Sequence, residues 1–233
     1  MAKDKTTSKN LKMLRNYPSN PIGRKAVFSA RSVKDKYVAA HRDARFFDGS
    51  RREGYGGLIY DGRWVNVAKD FCDVYELTSN SSVLQINCEK AFLLYEFELQ
   101  KPGIKILGTE TSEYALKNVH PKSTGSFFNC APSKLPFDDN SIDLVLALGV
   151  LYTLSISDFI LAVREINRIS CGRSFITLAS YSNVEDLEIF KSWSLLGNLI
   201  FRENEWVELL KLCDYTGAYD FVSSASLGLL ENK

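Results

Sequence analysis

From Ser82 to Val222 this chain alternates short apolar runs with helix-length amphipathic ones, and that alternation most restricts what it can fold into. The apolar runs are SVLQI (82–86), IKILG (104–108), a stretch near Ser126–Cys130, IDLVLALGV (142–150), SFITLAS (174–180) and YDFV near 219–222. A strand with one wet face would alternate polar and apolar residues, whereas near-continuous apolar runs read as strands covered on both faces. The spacing between them predicts helices over AFLLYEFEL (91–99), from Ser112 onward, near 185–197 and near 204–213. Another, with Phe159, Val163, Ile166 and Ile169 inward, is expected to be N-capped by Ser157 and stopped by Gly172. Asn204 is the expected cap of the last helix. Repeated β-then-α order implies a Rossmann-like, doubly wound, mostly parallel seven-stranded sheet with helices on both faces. Ligands in such sheets sit beyond the C-terminal strand ends where the strand order reverses. That places the expected site at Asn87–Ala91, Glu110–Ser112, Cys130–Ala131 and Leu148–Tyr152.

The first third reads differently. Residues 1–24 form a polar leader ending in Pro18 and Pro21, expected to dock loosely. Residues 25–77 read as an arm that forms a lid: a helix over 27–47, a Gly/Tyr/Arg-rich loop over 49–64 and a helix over 67–77. Residues 78–233 form the main domain. Residues 1–70 carry sixteen Lys/Arg against seven Asp/Glu, and the remainder thirteen against twenty-one. A basic arm on an acidic domain follows, but the formal net charge of +1 supplies no global field. Neither a nucleic-acid nor a membrane partner is therefore expected. The five cysteines are scattered without a CxxC pair and only two histidines are present, so no metal site is expected. Free thiols, and no apolar leader or membrane-length run, make the cytoplasm the expected compartment.

At the strand ends the residues become specific. VLQINCEKAFLL (83–94), ILGTETSEYAL (106–116), SKLPFDDNSIDLVLA (133–147) and EINRIS (165–170) follow one another at plausible spacing. In that order they resemble four segments of the class I S-adenosylmethionine-dependent methyltransferases. FFDGSRREGYGGLIYDGRW (46–64) is similar to the arm of a bacterial subgroup carrying GGYxYDGRW, which implies a small-molecule or glycan-precursor substrate. The resemblance implies a cofactor site at Asn87, Cys88, Glu110, Thr111, Ala131 and Leu148, with the Glu110 carboxylate accepting hydrogen bonds from both ribose hydroxyls. Beside it, Arg51, Arg52 and Arg63 interleave with Tyr55, Tyr60 and Trp64 as a lid suited to an anionic substrate. Tyr152 and Tyr181 lie at strand ends facing the cleft, so Tyr55, Tyr60, Arg63, Tyr152 and Tyr181 are the expected substrate region.

The chain departs from that pattern where the cofactor would lie. The acid that ends strand one is Gln85, and the three glycine positions are Asn87, Glu89 and Ala91. Glycines there allow close backbone approach, and Glu89 brings a negative charge toward the cofactor's carboxylate. Ala131 replaces an adenine-side Asp or Asn, Gly149–Thr153 (GVLYT) lacks the subgroup's Asn and His, and Ala179 stands where an acid is common. S-adenosylmethionine is the implied cofactor, with weak affinity expected.

Individual residues have alternative readings. Glu110 can cap the next helix, Glu89 can offset a helix dipole, and the tyrosines can be rim packing. His120 is expected in an exposed loop, and Cys88 and Cys130 as small buried hydrophobes. GYGG (54–57) follows no strand and is not a phosphate loop. Selective loss at the pocket favours a weak or inactive methyltransferase homologue, a partner or regulatory subunit of an active paralogue, or a homodimer. The alternative is an active O- or N-methyltransferase acting on a small anionic or glycan-related substrate.

Overall fold

A computed structural model describes residues 9–13, 16, 17, 24, 25 and 31–230. The rest of the 1–24 leader, and the start of the helix expected over 27–47, lie outside the described residues. In chain order the elements begin with β1 (Lys9–Asn10), β2 (Arg24–Lys25), α1 (Val33–Ala40), α2 (Ala44–Asp48) and α3 (Val65–Val74). Then come β3 (Ser82–Ile86), α4 (Phe92–Gln100), β4 (Lys105–Glu110), α5 (Glu113–Lys117) and β5 (Ser126–Asn129). After these follow β6 (Leu144–Ala147), α6 (Ile156–Ile169), β7 (Ser174–Ala179), α7 (Val184–Trp193), α8 (Glu203–Leu212), β8 (Ala218–Val222) and β9 (Leu229–Leu230).

Seven strands form one sheet in the order β1-β8-β7-β6-β3-β4-β5, and every pairing in it is parallel. The seventh strand is Lys9–Asn10, from the polar leader, beside β8. Strands β3, β6 and β7 are buried at every residue, as their apolar runs require. Alternate side chains serve opposite faces. Val83, Leu144, Leu146 and Phe175 pack with Phe71 of α3 and Phe97 of α4, while Leu84, Val145 and Ile176 pack with Phe159 of α6 and Trp206 of α8. From β3 the chain steps outward through β4 and β5, then returns to place β6 on the other side of β3. The crevice at that reversal lies over the C-terminal ends of β3 and β6.

The recognisable segments owe their residues to the fold. Asp143 accepts from Ser82 N (2.7 Å) and Ser82 Oγ (2.9 Å), locking the starts of β3 and β6 together. Glu165 accepts from Leu135 N (2.8 Å), and Arg168 donates to Glu165 (2.7 Å), Phe137 O (2.7 Å), Asp139 (2.8 Å) and Leu135 O (3.1 Å). The E-x-x-R pair on α6 is thus a clamp on the LPFDDNS loop.

Several local expectations need correction. The region over 27–47 holds two helices, because Arg42 turns left-handed (φ 48°) and Asp43 caps α2 by accepting from Arg45 N. Helix α6 is capped by Ser155, two residues before Ser157, and α8 follows Arg202, whose N–H donates to Glu205 (2.7 Å). The long apolar run 142–150 supplies only four strand residues, since Asp143 is spent on Ser82 and Gly149 turns at φ 73°. Among the described residues, no helix is long and apolar enough to cross a membrane, and no three His, Cys, Asp or Glu side chains gather as a metal site. All five cysteines are free.

The α6 clamp has a measurable consequence. Arg168→Gln should destabilise the protein by about 2 kcal/mol, read as a lower urea midpoint at unchanged slope, and Arg168→Lys should recover only part of it. The Arg168 hydrogen bond also holds the Glu165 carboxyl below its ordinary range. This contribution is complete above the unfolded-state glutamate pKa of about 4.3 and is lost as pH falls through the lower folded value. The Gln variant should therefore lose less stability on acidification than the parent.

Candidate functional site

The loop between β3 and α4 keeps a left-handed backbone at all three positions where the resemblance calls for glycine. Asn87, Glu89 and Ala91 have φ of 58°, 56° and 59°. For side-chain-bearing residues this costs on the order of 1–2 kcal/mol each, least for Asn. Bonds to neighbouring segments hold the loop there. Cys88 N donates to Thr109 O (2.9 Å), Glu89 N to the Glu110 carboxylate (2.9 Å) and Ala91 N to Cys88 O (2.8 Å). The Cys88 side chain turns inward over Gly108, where an added Cβ would meet Sγ at 2.6 Å. Cys88 is buried as expected, and burial pushes its thiol well up.

Glu110 ends β4 with its side chain fully buried. One carboxylate oxygen accepts from Thr111 N (2.8 Å) and Ser112 N (2.9 Å), the other from Glu89 N (2.9 Å) and Arg42 Nη2 (3.0 Å). These donors fill a carboxylate's roughly four lone-pair sites. Asn87 lies beside the pair, and the amide orientation that satisfies both neighbours donates to Glu110 (3.2 Å) and accepts from Arg42 (3.0 Å). The Arg42 main chain is fixed as well, because Ser112 Oγ donates to Arg42 O. Burial alone would lower the Arg42 pKa, but Glu110 and then Glu89 outweigh it and raise it.

The rest of the segment over 31–60 is attached to the same loop and its flanks. Tyr55 OH donates to Glu89 (2.5 Å). Lys90 donates to Asp48 (2.7 Å) and Leu58 O (2.9 Å), and Tyr114 OH also donates to Asp48 (2.6 Å). Phe46, Phe47 and Leu58 form a small core with Ala39 and Ala115. Desolvation pushes the Glu89 carboxyl up against the pull of Arg42, and burial beside Glu89 raises the Tyr55 phenol. The raised phenol keeps the Tyr55 O–H, so Tyr55 is the donor of the bond and a Glu89 oxygen its acceptor.

A cleft of about 910 Å³ remains beside this cluster, over the ends of β3, β6 and β7. Of the residues expected to contact ligand, Asn87, Leu148, Tyr55, Arg63 and Tyr152 line it. Burial raises the Tyr152 phenol, keeping it protonated. The others lie elsewhere. Cys88 is under the loop, Glu110 is enclosed by its donors, and Thr111 and Ala131 are exposed at the strand ends. Tyr60 donates to Glu96 (2.8 Å) and sits in an aromatic group with Phe92, Tyr95 and His120, and its phenol is pushed up to about 12 by the Glu96 bond. His120 is half-buried and stacks on Tyr95 at 3.8 Å, not solvent-exposed as its Pro-flanked loop suggests. Tyr181 packs under Arg202 beside α7. Arg52, grouped with Arg51 and Arg63 by sequence, instead pairs with Asp35 (3.1 Å). Sequence reading missed Arg42 and Arg31. The Asp43 cap directly after Arg42 was the available signal, since it breaks the helix there and turns the arginine inward.

S-adenosylmethionine, the group implied by the resemblance, does not fit these residues as arranged. Its ribose would need acceptor sites that Glu110 has given to Arg42 and three backbone amides. The side chains of Asn87 and Glu89 also stand where glycines would leave space.

Two stability measurements check this description. Ala91→Val puts a β-branched residue at φ 59° and should cost about 2 kcal/mol, whereas Ala91→Gly should change stability by less than about 1 kcal/mol. Arg42→Met should destabilise by about 3 kcal/mol in urea unfolding, because it leaves the buried Glu110 carboxylate without its cation.

Comparison with known proteins agrees with this architecture. Residues 84–175 match the family model described as a methyltransferase domain. A search of curated proteins gives no match. Among solved structures, the chain is similar to one from the complex of the Haloferax volcanii Trm112 methyltransferase activator with its assigned methyltransferase. That likeness has a TM-score of 0.50 at 19% identity, covering 64% of this chain and 74% of the other. An assigned methyltransferase of Bacillus halodurans C-125 gives 0.52 at 14% identity, covering 63% and 67%. The YcgJ protein of Bacillus subtilis gives 0.51 at 16%, covering 66% and 68%. What these share with the present chain is the fold: a class I methyltransferase-type, Rossmann-like domain, in which residues 84–175 match the methyltransferase domain model.

Proposed function

We propose that this chain is a methyltransferase homologue whose cofactor pocket is filled by its own N-terminal arm, weak or inactive in methyl transfer, and a partner or regulatory subunit of an active relative. The observation that carries the reading is the Arg42–Glu110 pair at 3.0 Å. The carboxylate suited to hold a ribose is instead the anchor of the arm. The Tyr55–Glu89 bond closes the arm over the neighbouring position in the same way. Residues 25–77 are, in this reading, a lid kept shut by side chains of the cofactor loop. A partnered role suits the fold, since the Haloferax volcanii relative stands in a complex with a methyltransferase activator.

The cleft favours a second reading, an active O- or N-methyltransferase acting on a small anionic or glycan-related substrate. About 910 Å³ stays open beside Asn87, Tyr55, Arg63 and Tyr152. Methyl transfer there requires Arg42 to release Glu110 first.

Calorimetry with S-adenosylmethionine and S-adenosylhomocysteine separates the two. The first reading expects no saturable heat at about 1 mM ligand, corresponding to binding weaker than about −4 kcal/mol. It also expects an affinity gain of tenfold or more when Arg42→Ala is combined with Gln85→Asp, Asn87→Gly, Glu89→Gly and Ala91→Gly. A low-micromolar dissociation constant for the unmodified protein would overturn it in favour of the enzyme. For the partner role, light scattering of the protein mixed with an intact paralogue should give a heteromer, and two separate monomers would argue against it.

A further inference from the structure

Four arginines line the cleft: Arg31, Arg42, Arg51 and Arg63. Two are neutralised within the protein. Arg42 is bound to Glu110, and Arg63 is chelated by both oxygens of Asp61 (Nε at 2.8 and 2.9 Å). The other two are held by no such contact, although Asp35 pulls on Arg31 at longer range. Arg31 donates to Trp193 O and to Arg51 O (3.1 Å), and Arg51 donates to Tyr55 O (3.0 Å). Those acceptors are backbone carbonyls, and among the described residues neither arginine forms a salt bridge. The two cations are close enough that Arg51, after burial, is the next cause lowering the Arg31 pKa. The Arg31 Nε atom is buried without a hydrogen-bond partner.

Adjacent guanidinium groups with unused donors in a cleft suit an oxyanion, because planar forks of N–H groups match carboxylate and phosphate oxygens. The floor is also incomplete. Gln85 Oε1 is buried without a partner and Gln85 lines the same cleft, so it offers an acceptor to a ligand hydroxyl. The Glu89 carboxylate, held by Tyr55, gives the floor the opposite sign and fixes which end of a ligand lies toward the arginines.

We infer that Arg31 and Arg51 bind the anionic group of a small hydroxylated molecule, a carboxylate or a phosphate monoester, whose hydroxyl side rests on Gln85. This deepens the second reading above by naming the ligand class and the residues that select it. It stands whether or not the adenosine side of the fold binds cofactor.

The test is calorimetry on the full chain with glucose 6-phosphate, gluconate and glucose at up to about 10 mM. One of the two anions should bind at a single saturable site, identifying phosphate or carboxylate as the preferred group, and neutral glucose should give no heat. Arg51→Gln should weaken that binding at least tenfold. Arg31→Lys, which keeps the charge and a donor for Trp193 O, should weaken it by a similar factor because it loses the fork. Arg164→Gln, exposed on α6 and outside the cleft, should leave it unchanged. No saturable heat with either anion would overturn the proposal. So would equal heat from glucose, or an Arg51→Gln affinity within threefold of the Arg164→Gln value. Titration with S-adenosylmethionine reads cofactor binding alone, so failure of one reading is distinguishable from failure of the other.

Discussion

One buried carboxylate organises the functional end of this molecule. Glu110 receives hydrogen bonds from the β3–α4 loop, from the start of α5 and from Arg42 of the N-terminal segment, joining three separate parts of the chain at one point. A buried ion pair is a weak source of net stability, because desolvating both charges offsets their attraction. Its worth here is geometric. With every lone pair of Glu110 occupied, the segment over 31–60 has one way to lie across the strand ends. The attachments through Lys90–Asp48 and Tyr55–Glu89 then follow from that placement.

The β3–α4 loop shows that residues other than glycine hold a left-handed backbone when their surroundings fix it. Three side-chain-bearing residues adopt the left-handed conformation, and only Asn87 does so readily. Their amides are tied to Thr109, Glu110 and the loop itself, so the strained arrangement is over-determined by its surroundings. The side chains of the loop are also put to use. Asn87 lies between Glu110 and Arg42, and Glu89 accepts from Tyr55. The loop thereby supplies contacts that hold the arm across the strand ends.

The uneven charge along the sequence has a corresponding arrangement in space. Four of the six arginines between residues 31 and 63 are neutralised at close range, in Arg42–Glu110, Arg45–Asp43, Arg52–Asp35 and Arg63–Asp61. Within the cleft, what is left over is Arg31 and Arg51, side by side. Interior acceptors thus separate arginines that look equivalent in the sequence into structural ones and ones available to a ligand.

Much of the fold was legible because it rests on periodicity. Apolar runs such as SVLQI and SFITLA can only be central strands, and Asp143, Glu165 and Arg168 recur in recognisable segments because each closes a local, geometrically fixed contact. The seventh strand was not legible: Lys9–Asn10 is polar, and an edge position beside β8 asks only for backbone groups. The site was half legible. Strand-end positions such as Asn87, Leu148 and Tyr152 follow from topology, and they do line the cleft. By itself, then, the sequence determined a parallel α/β sheet and the end of it where a ligand would sit. Only the tertiary structure decided what the side chains of the first loop do, because the partner of Glu110 lies 68 residues away in a segment whose own pattern reads as one more helix. Hydrophobic period reports burial within an element, and it carries no information about which distant cation a buried carboxylate will meet.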